Sequence, residues 1–186
     1  MLSILDPETA ARHVDSGPVA EPGPVGSGRF WKQKQSNGSF ACGFDGAGDV
    51  TADATDDLLI GNYDYDVPTP EGSINNAGAA LIFAGPVEGA LDLTSTSTAA
   101  AKITGTRADA WCGSQVEGLG DVSGDGYADV ALLCPGEETA YIFHGPLEGD
   151  YTTDDADAWF PSVSRLFAGG DLDGDGSPEI FGDTLW

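Results

Sequence analysis

The chain has 186 residues and carries 31 acidic against 7 basic side chains, a formal charge of −24. Nucleic acid and anionic lipid are recognised through basic patches, so this balance argues against both as partners. Hydrophobic residues make up 40% of the chain, too many for compositional disorder, and 27 glycines with little helical periodicity point to short strands and turns.

Residues 1–28 read as a Pro/Gly-rich N-terminal segment or linker. Its apolar start is too short and too soon acidic for a secretory signal, and a helical turn is expected over 7–13. No apolar run in the chain approaches the ~18 residues of a membrane-crossing helix. Strand signals begin at residue 29, with strands expected over 29–34, 40–48 and 57–62. Residues 63–78 hold Pro68, Pro70 and Asn75-Asn76-Ala77-Gly78 and read as a long hairpin connection. A strand over 79–84 closes on Gly85-Pro86, and 100–105 reads as an outer strand. Strands over 111–118 and 129–134 follow. Residues 139–144 repeat the strand of 79–84, and Gly145-Pro146 repeats its turn. Residues 147–158 are acidic and loop-like, and strands over 164–169 and 178–181 complete the series.

Three of the connections share a pattern. GDVSGDGYADVALLC, from residue 120, places Asp121, Ser123, Asp125, Tyr127 and Asp129 at alternate positions before an apolar run. GDLDGDGSPEIFG, from residue 170, repeats it with Asp171, Asp173, Asp175, Ser177 and Glu179. GDVTADATDDLLIG, from residue 48, repeats it with Asp49, Thr51, Asp53, Thr55 and Asp57, but Ala54 replaces the glycine and Thr51 the third-position carboxylate. Carboxylates packed so densely repel one another unless a cation holds them, and hard oxygen donors at alternate positions suit Ca²⁺. Carbonyls at Tyr127 and Ser177 would add a ligand to each of the two better loops. Asp-Gly stretches are also ordinary turns, but three copies in register, each feeding a strand, favour metal. A helix–loop–helix calcium site needs a carboxylate at the twelfth position; here that position holds Ile60, Leu132 and Gly182. The device is therefore a calcium-binding β-hairpin loop.

The first aspartates of the three loops stand 72 and 50 residues apart, a period that means an array of supersecondary units. With Trp111-Cys112-Gly113 before the second loop, Cys134-Pro135-Gly136 after it, and the strands ALIFAGP and YIFHGP ending at Pro86 and Pro146, the repeat resembles the FG-GAP repeats of integrin α-subunit β-propellers and their bacterial relatives. The resemblance runs from about residue 30 to residue 186. It implies an all-β fold of four-stranded antiparallel meanders, the blades of a propeller, with the three acidic loops on one rim and Trp111 and Trp159 in the blade cores. Residues 29–186 would hold two to three partial blades. Since propellers close with about 4 to 8 blades, the ring is incomplete. The chain then reads as a fragment or an open array that needs further blades and self-associates.

Cys42, Cys112 and Cys134 are an odd count, so at least one is unpaired within the chain. Pairing of Cys112 with Cys134 competes with burial as small apolar residues, and a hairpin centred on Asp125 would set Cys134 opposite Val116, which favours burial for at least two of the three. No nucleophile is placed near His144, and no phosphate-binding glycine loop occurs, so no catalysis is expected. Two functions of different class remain. One is a calcium-binding extracellular or cell-surface module for adhesion or for an unidentified protein or glycan ligand, with structural metal and ligands bound by other loops of the propeller. The other is an accessory propeller of a larger secreted hydrolase or polysaccharide-degrading enzyme, which a catalytic domain elsewhere in the reading frame would reveal.

Overall fold

The structure, a computed structural model, describes residues 2–4, 31–33, 43–87, 90–91 and 98–184. The chain divides into two compact units, one of Met1–Gly38 with Glu88–Ser95, the other of Ser39–Val87 with Thr96–Trp186. In the smaller unit, β1 (Leu2–Ile4) pairs antiparallel with β2 (Trp31–Gln33) and with β8 (Ala90–Leu91). The apolar start is thus a strand, and β2 falls within the strand expected over 29–34. The expected turn over 7–13, with His13, and Cys42 lie outside the described residues.

The larger unit is all-β and is built as repeated antiparallel meanders. Its first sheet runs β3 (Phe44–Gly48), β4 (Asp57–Asn62), β7 (Ala79–Phe83) and β9 (Ala101–Thr104). A small hairpin, β5 (Val67–Thr69) and β6 (Gly72–Ile74), stands within the connection of 63–78. The second sheet runs β10 (Gln115–Gly120), β11 (Asp129–Cys134), β12 (Thr139–Phe143) and β14 (Ala158–Pro161), and the third is the hairpin of β15 (Val163–Gly170) and β16 (Glu179–Thr184). The stretch 147–158 is more ordered than its composition suggests. It holds β13 (Gly149–Thr152), which adds in parallel to the outer edge of β9, and a 3₁₀ turn over Thr153–Asp155. A connection from the second sheet therefore covers the edge of the first, removing an exposed strand edge.

The middle strands explain the layering. Every residue of β4, β7 and β11 is buried, as continuous apolar runs require when both faces are covered. Side chains alternate across a strand, and β11 uses both faces. Val130, Leu132 and Cys134 join Leu59, Ile82 and Ile103 in the core between the first and second sheets. Ala131 and Leu133 join Ala140, Ile142, Val163 and Leu166 in the core between the second sheet and the third.

Leading strands β3, β10 and β15 lie side by side, stitched by side chains that repeat with the sequence. The Asp45 carboxylate accepts from Gly118 N–H at 3.0 Å. Glu117, on β10, accepts from Ala168 N–H at 3.4 Å. The approach is close enough that a Cβ on Gly118 would collide with the Gly46 carbonyl oxygen. This arrangement brings the three acidic loops, which follow β3, β10 and β15, to the same end of the sheets.

Three expectations need correction. Cys112 and Cys134 form a disulfide. A bulge between Gly118 and Gly120 interrupts the pairing of β10 with β11, Val116 faces Leu132 rather than Cys134, and Cys112 folds back onto the end of β11. Trp111 is not a core residue: it has φ 52° and is 41% exposed, and the fully buried side chain of that motif is Cys112. Trp159, on the outer strand β14, is 64% exposed.

Candidate metal loops

All three loops have one backbone form, and its sharp turns explain the glycines. Gly124 and Gly126 have φ of 78° and 95°, and Gly174 and Gly176 have 82° and 99°. The first loop reaches the same left-handed region with alanines, Ala52 at 63° and Ala54 at 70°. Because a Cβ disfavours that region, the first loop holds the shape against local strain.

In each loop the first aspartate organises the turn. Asp121 Oδ1 accepts from the N–H groups of Gly124 at 2.7 Å and Asp125 at 3.0 Å, and Oδ2 from Gly126 at 2.9 Å. Asp171 accepts from Gly174 at 2.7 Å and Gly176 at 3.0 Å. Asp49 accepts from Asp53 at 2.9 Å and Ala54 at 3.0 Å. Desolvation would raise the pKa of Asp121, but the N–H groups of Gly126, Gly124 and Asp125 and the Ser123 hydroxyl together outweigh it and hold the carboxyl below its usual value. The fifth-position acids cap the next turn. Asp125 takes Tyr127 N–H, Asp175 takes Ser177 N–H, each at 2.9 Å, and Asp53 takes both the N–H and the hydroxyl of Thr55. Asp173, the third-position acid that the other loops lack, accepts from Asp175 N–H at 3.0 Å.

The ninth-position acid separates the loops. Asp129 is fully buried, its Oδ2 accepting from Val122 N–H at 2.9 Å and Ser123 N–H at 2.8 Å, and its Oδ1 from Gly145 N–H at 3.0 Å. Asp57 is 3% exposed and does the same for Val50, Thr51 and Gly85, with the Thr51 hydroxyl added at 3.3 Å. Each aspartate thus ties its own loop to the Gly-Pro turn that closes the third strand of its sheet. Glu179 is half-buried and accepts one such bond, from Leu172 N–H at 2.6 Å.

Asp171, Asp173, Asp175 and Glu179 each offer an oxygen, and these four atoms all lie within 4.8 Å of one another. Among the described residues, no other set of three or more Asp, Glu, His or Cys side chains gathers in this way. The donors are hard oxygens on exposed or half-exposed carboxylates, a chemistry that fits a divalent cation such as Ca²⁺ better than a soft one. Asp121, Asp125 and Asp129 do not converge to that degree, and neither do Asp49, Asp53 and Asp57. The sequence reading missed Gly85 and Gly145 as partners of the ninth-position acids. The signal was there in the Gly-Pro pair that follows each repeated strand.

No protein-family model matches the chain. It is similar to integrin alpha-5 of Xenopus laevis, at 29% identity over 150 residues, which are 72% of this chain and 14% of that protein. It is also similar to integrin alpha-IIb of Mus musculus, at 31% identity over 143 residues, 71% of this chain and 14% of that protein. The chain thus spans about a seventh of the length of these relatives. Among the described residues, no helix is long and apolar enough to cross a membrane.

Proposed function

We propose that this chain is a calcium-binding β-propeller module of the cell surface or extracellular space, serving adhesion or the binding of a protein or glycan ligand, with the metal in a structural role. The observation that carries the reading is the gathering of Asp171, Asp173, Asp175 and Glu179 in a loop whose form recurs twice more at the same end of the sheets. With the Ser177 carbonyl they supply the oxygen donors that Ca²⁺ takes at about 2.3–2.6 Å. The second site is Asp121, Ser123, Asp125, the Tyr127 carbonyl and Asp129. Three N–H donors occupy three of the roughly four lone-pair positions of the Asp129 carboxylate, which leaves one for a metal. The loop from Asp49 to Asp57, with Thr51 and Thr55, is a weaker third. Similarity to integrin alpha chains supports the propeller and the adhesive role. The Cys112–Cys134 disulfide supports an oxidising compartment. Further blades of a longer chain would complete the ring.

Calcium titration by calorimetry, with melting in calcium and in chelator, tests the reading. Calcium should raise the melting temperature, and Asp125→Ala combined with Asp175→Ala should remove most of the rise. A melting temperature that calcium leaves unmoved, or a rise that survives both substitutions, would overturn the assignment.

A further inference from the structure

We infer that the first and second loops bind calcium as one cooperative pair while the third binds independently, because two backbone hydrogen bonds join the first two loops and, among the described residues, none joins the second to the third, where a proline removes one of the donors. The inference rests on the metal reading above and concerns how its sites are regulated.

Two backbone bonds connect loop 49–57 to the second repeat. Ala128 N–H donates to the Asp49 carbonyl at 3.1 Å, and Leu147 N–H donates to the Val50 carbonyl at 2.8 Å. Both donors sit beside the second loop's ligands. Ala128 lies between Tyr127, whose carbonyl is a proposed ligand, and Asp129. Leu147 lies two residues past Gly145, whose N–H is held by Asp129. Both acceptors belong to the first loop. Asp49 supplies its first carboxylate, and Val50 N–H is held by Asp57 at 2.9 Å. A short path of backbone and hydrogen bonds therefore runs from Asp129 to Asp57. Ordering either loop around an ion fixes the groups that the other loop must also order, so the second ion meets a lower ordering cost.

At the next interface the packing around Ala128 repeats, but the bond that Ala128 donates does not. A Cβ on Gly48 would lie 2.9 Å from Ala128 Cβ, and one on Gly120 would lie 3.2 Å from Pro178 Cγ. Pro178 thus occupies against the second loop the place that Ala128 occupies against the first. It has no N–H to give to the Asp121 carbonyl. Among the described residues, no backbone hydrogen bond joins loop 121–129 to loop 171–179.

The test is a calcium chloride titration of the whole chain, followed through the amide resonances of Asp53, Asp125 and Asp175, which report the three loops separately. Disabling the second loop with Asp121→Ala should raise the calcium midpoint at Asp53 by about five-fold or more, the lower end of ordinary coupling. Asp171→Ala should leave the midpoints at Asp53 and Asp125 unchanged. Ala128→Pro, which copies the third loop and removes one of the two bonds, should weaken the coupling of the first two loops while every carboxylate is kept. Ala128→Gly, which keeps the N–H, should leave them coupled. In calcium-free protein, the Ala128 amide should exchange slowly with solvent. If Asp53 responds to calcium with a midpoint indifferent to Asp121→Ala, the coupling is wrong and the metal reading stands. If no loop amide responds to calcium in the wild type, both fall.

Discussion

The loops at 121–129 and 171–179 are nearly alike in sequence and differ in what their last acid does. Asp129 is short, buried and held by three backbone N–H groups of the protein itself. Glu179 is one methylene longer, half-buried and bonded to one N–H group, so its carboxylate stays near Asp171, Asp173 and Asp175. The same motif thus yields a hairpin closed from within and a hairpin whose acids converge toward solvent. An acid at a ligand position serves the fold before it serves an ion, and the balance shifts with side-chain length and with the donors that neighbouring strands bring.

The largest effect should come from removing the last acid of the second loop in calcium-free buffer, set against the same change in the third. Asp129→Ala strands three backbone N–H groups in a buried setting, and charge-assisted bonds of that kind support a loss of about 3–5 kcal/mol in urea denaturation. Glu179→Ala removes one bond in a more open site and should cost within about 1 kcal/mol. Equal losses would erase the distinction between the two loops. The order should reverse for the effect of calcium. At about 100 times its dissociation constant an ion bound to the folded state adds about 2.7 kcal/mol. Asp175→Ala should remove that gain at the third loop, and relief of carboxylate repulsion should leave calcium-free stability unchanged or slightly higher. Melting curves of wild type and variant, with and without chelator, read both quantities.

Much of this was legible in the residues. Short apolar runs bounded by turn residues placed β4, β7, β11 and β12, and the Gly-Asp-apolar signature placed all three loops. What was not legible depends on register and on contacts across repeats. The path of the chain before β10, which carries Cys112 back to the end of β11, turns two expected buried thiols into a disulfide, and no local pattern announces that return. Stretch 147–158 is acidic, so composition reads it as loop, yet β13 finds an edge to pair with on β9. Long-range pairing outweighs local composition in both cases. Partner bonds from Gly85 and Gly145 to the ninth-position aspartates arise 28 and 16 residues away in sequence, so the repeated Gly-Pro pair was visible while the acid it would meet was not.

A smaller effect should follow from correcting the first loop's local strain. Ala52 and Ala54 stand where the other loops have glycine, and both hold positive φ. Left-handed backbone costs an alanine about 1–2 kcal/mol, offset by about 0.4–1 kcal/mol of chain entropy that glycine loses on folding. Ala52→Gly and Ala54→Gly should therefore each stabilise the protein by about 0.5–1 kcal/mol in urea denaturation. The corresponding Gly124→Ala and Gly174→Ala should each destabilise by a similar amount. A destabilising Ala54→Gly would mean that the first loop does not share the backbone form of the other two.

The smallest effect should appear on acidification, and it isolates the turn-organising aspartate from the clamp. Desolvation pushes the folded-state pKa of Asp121 up, but the N–H groups of Gly126, Gly124 and Asp125 and the Ser123 hydroxyl outweigh it and hold the value below the ordinary 3.8. A depressed folded pKa means that the unfolded chain takes up the proton first, so the ionised carboxylate stabilises the fold at pH values above 3.8. That contribution fades as pH falls below the ordinary value and toward the depressed one. Other carboxylates titrate in the same range, and the chain's formal charge of −24 means that protonation also relieves repulsion across the whole molecule. Comparing wild type with Asp121→Asn at each pH subtracts both effects, since the two proteins share every other group. In calcium-free urea denaturations from about pH 6 to about pH 3, a range that brackets the ordinary carboxylate value, the wild type should be the more stable at the upper end, and the gap should narrow toward the acid end. A gap that holds constant across the range would show that the amides bind Asp121 by shape alone and not through its charge.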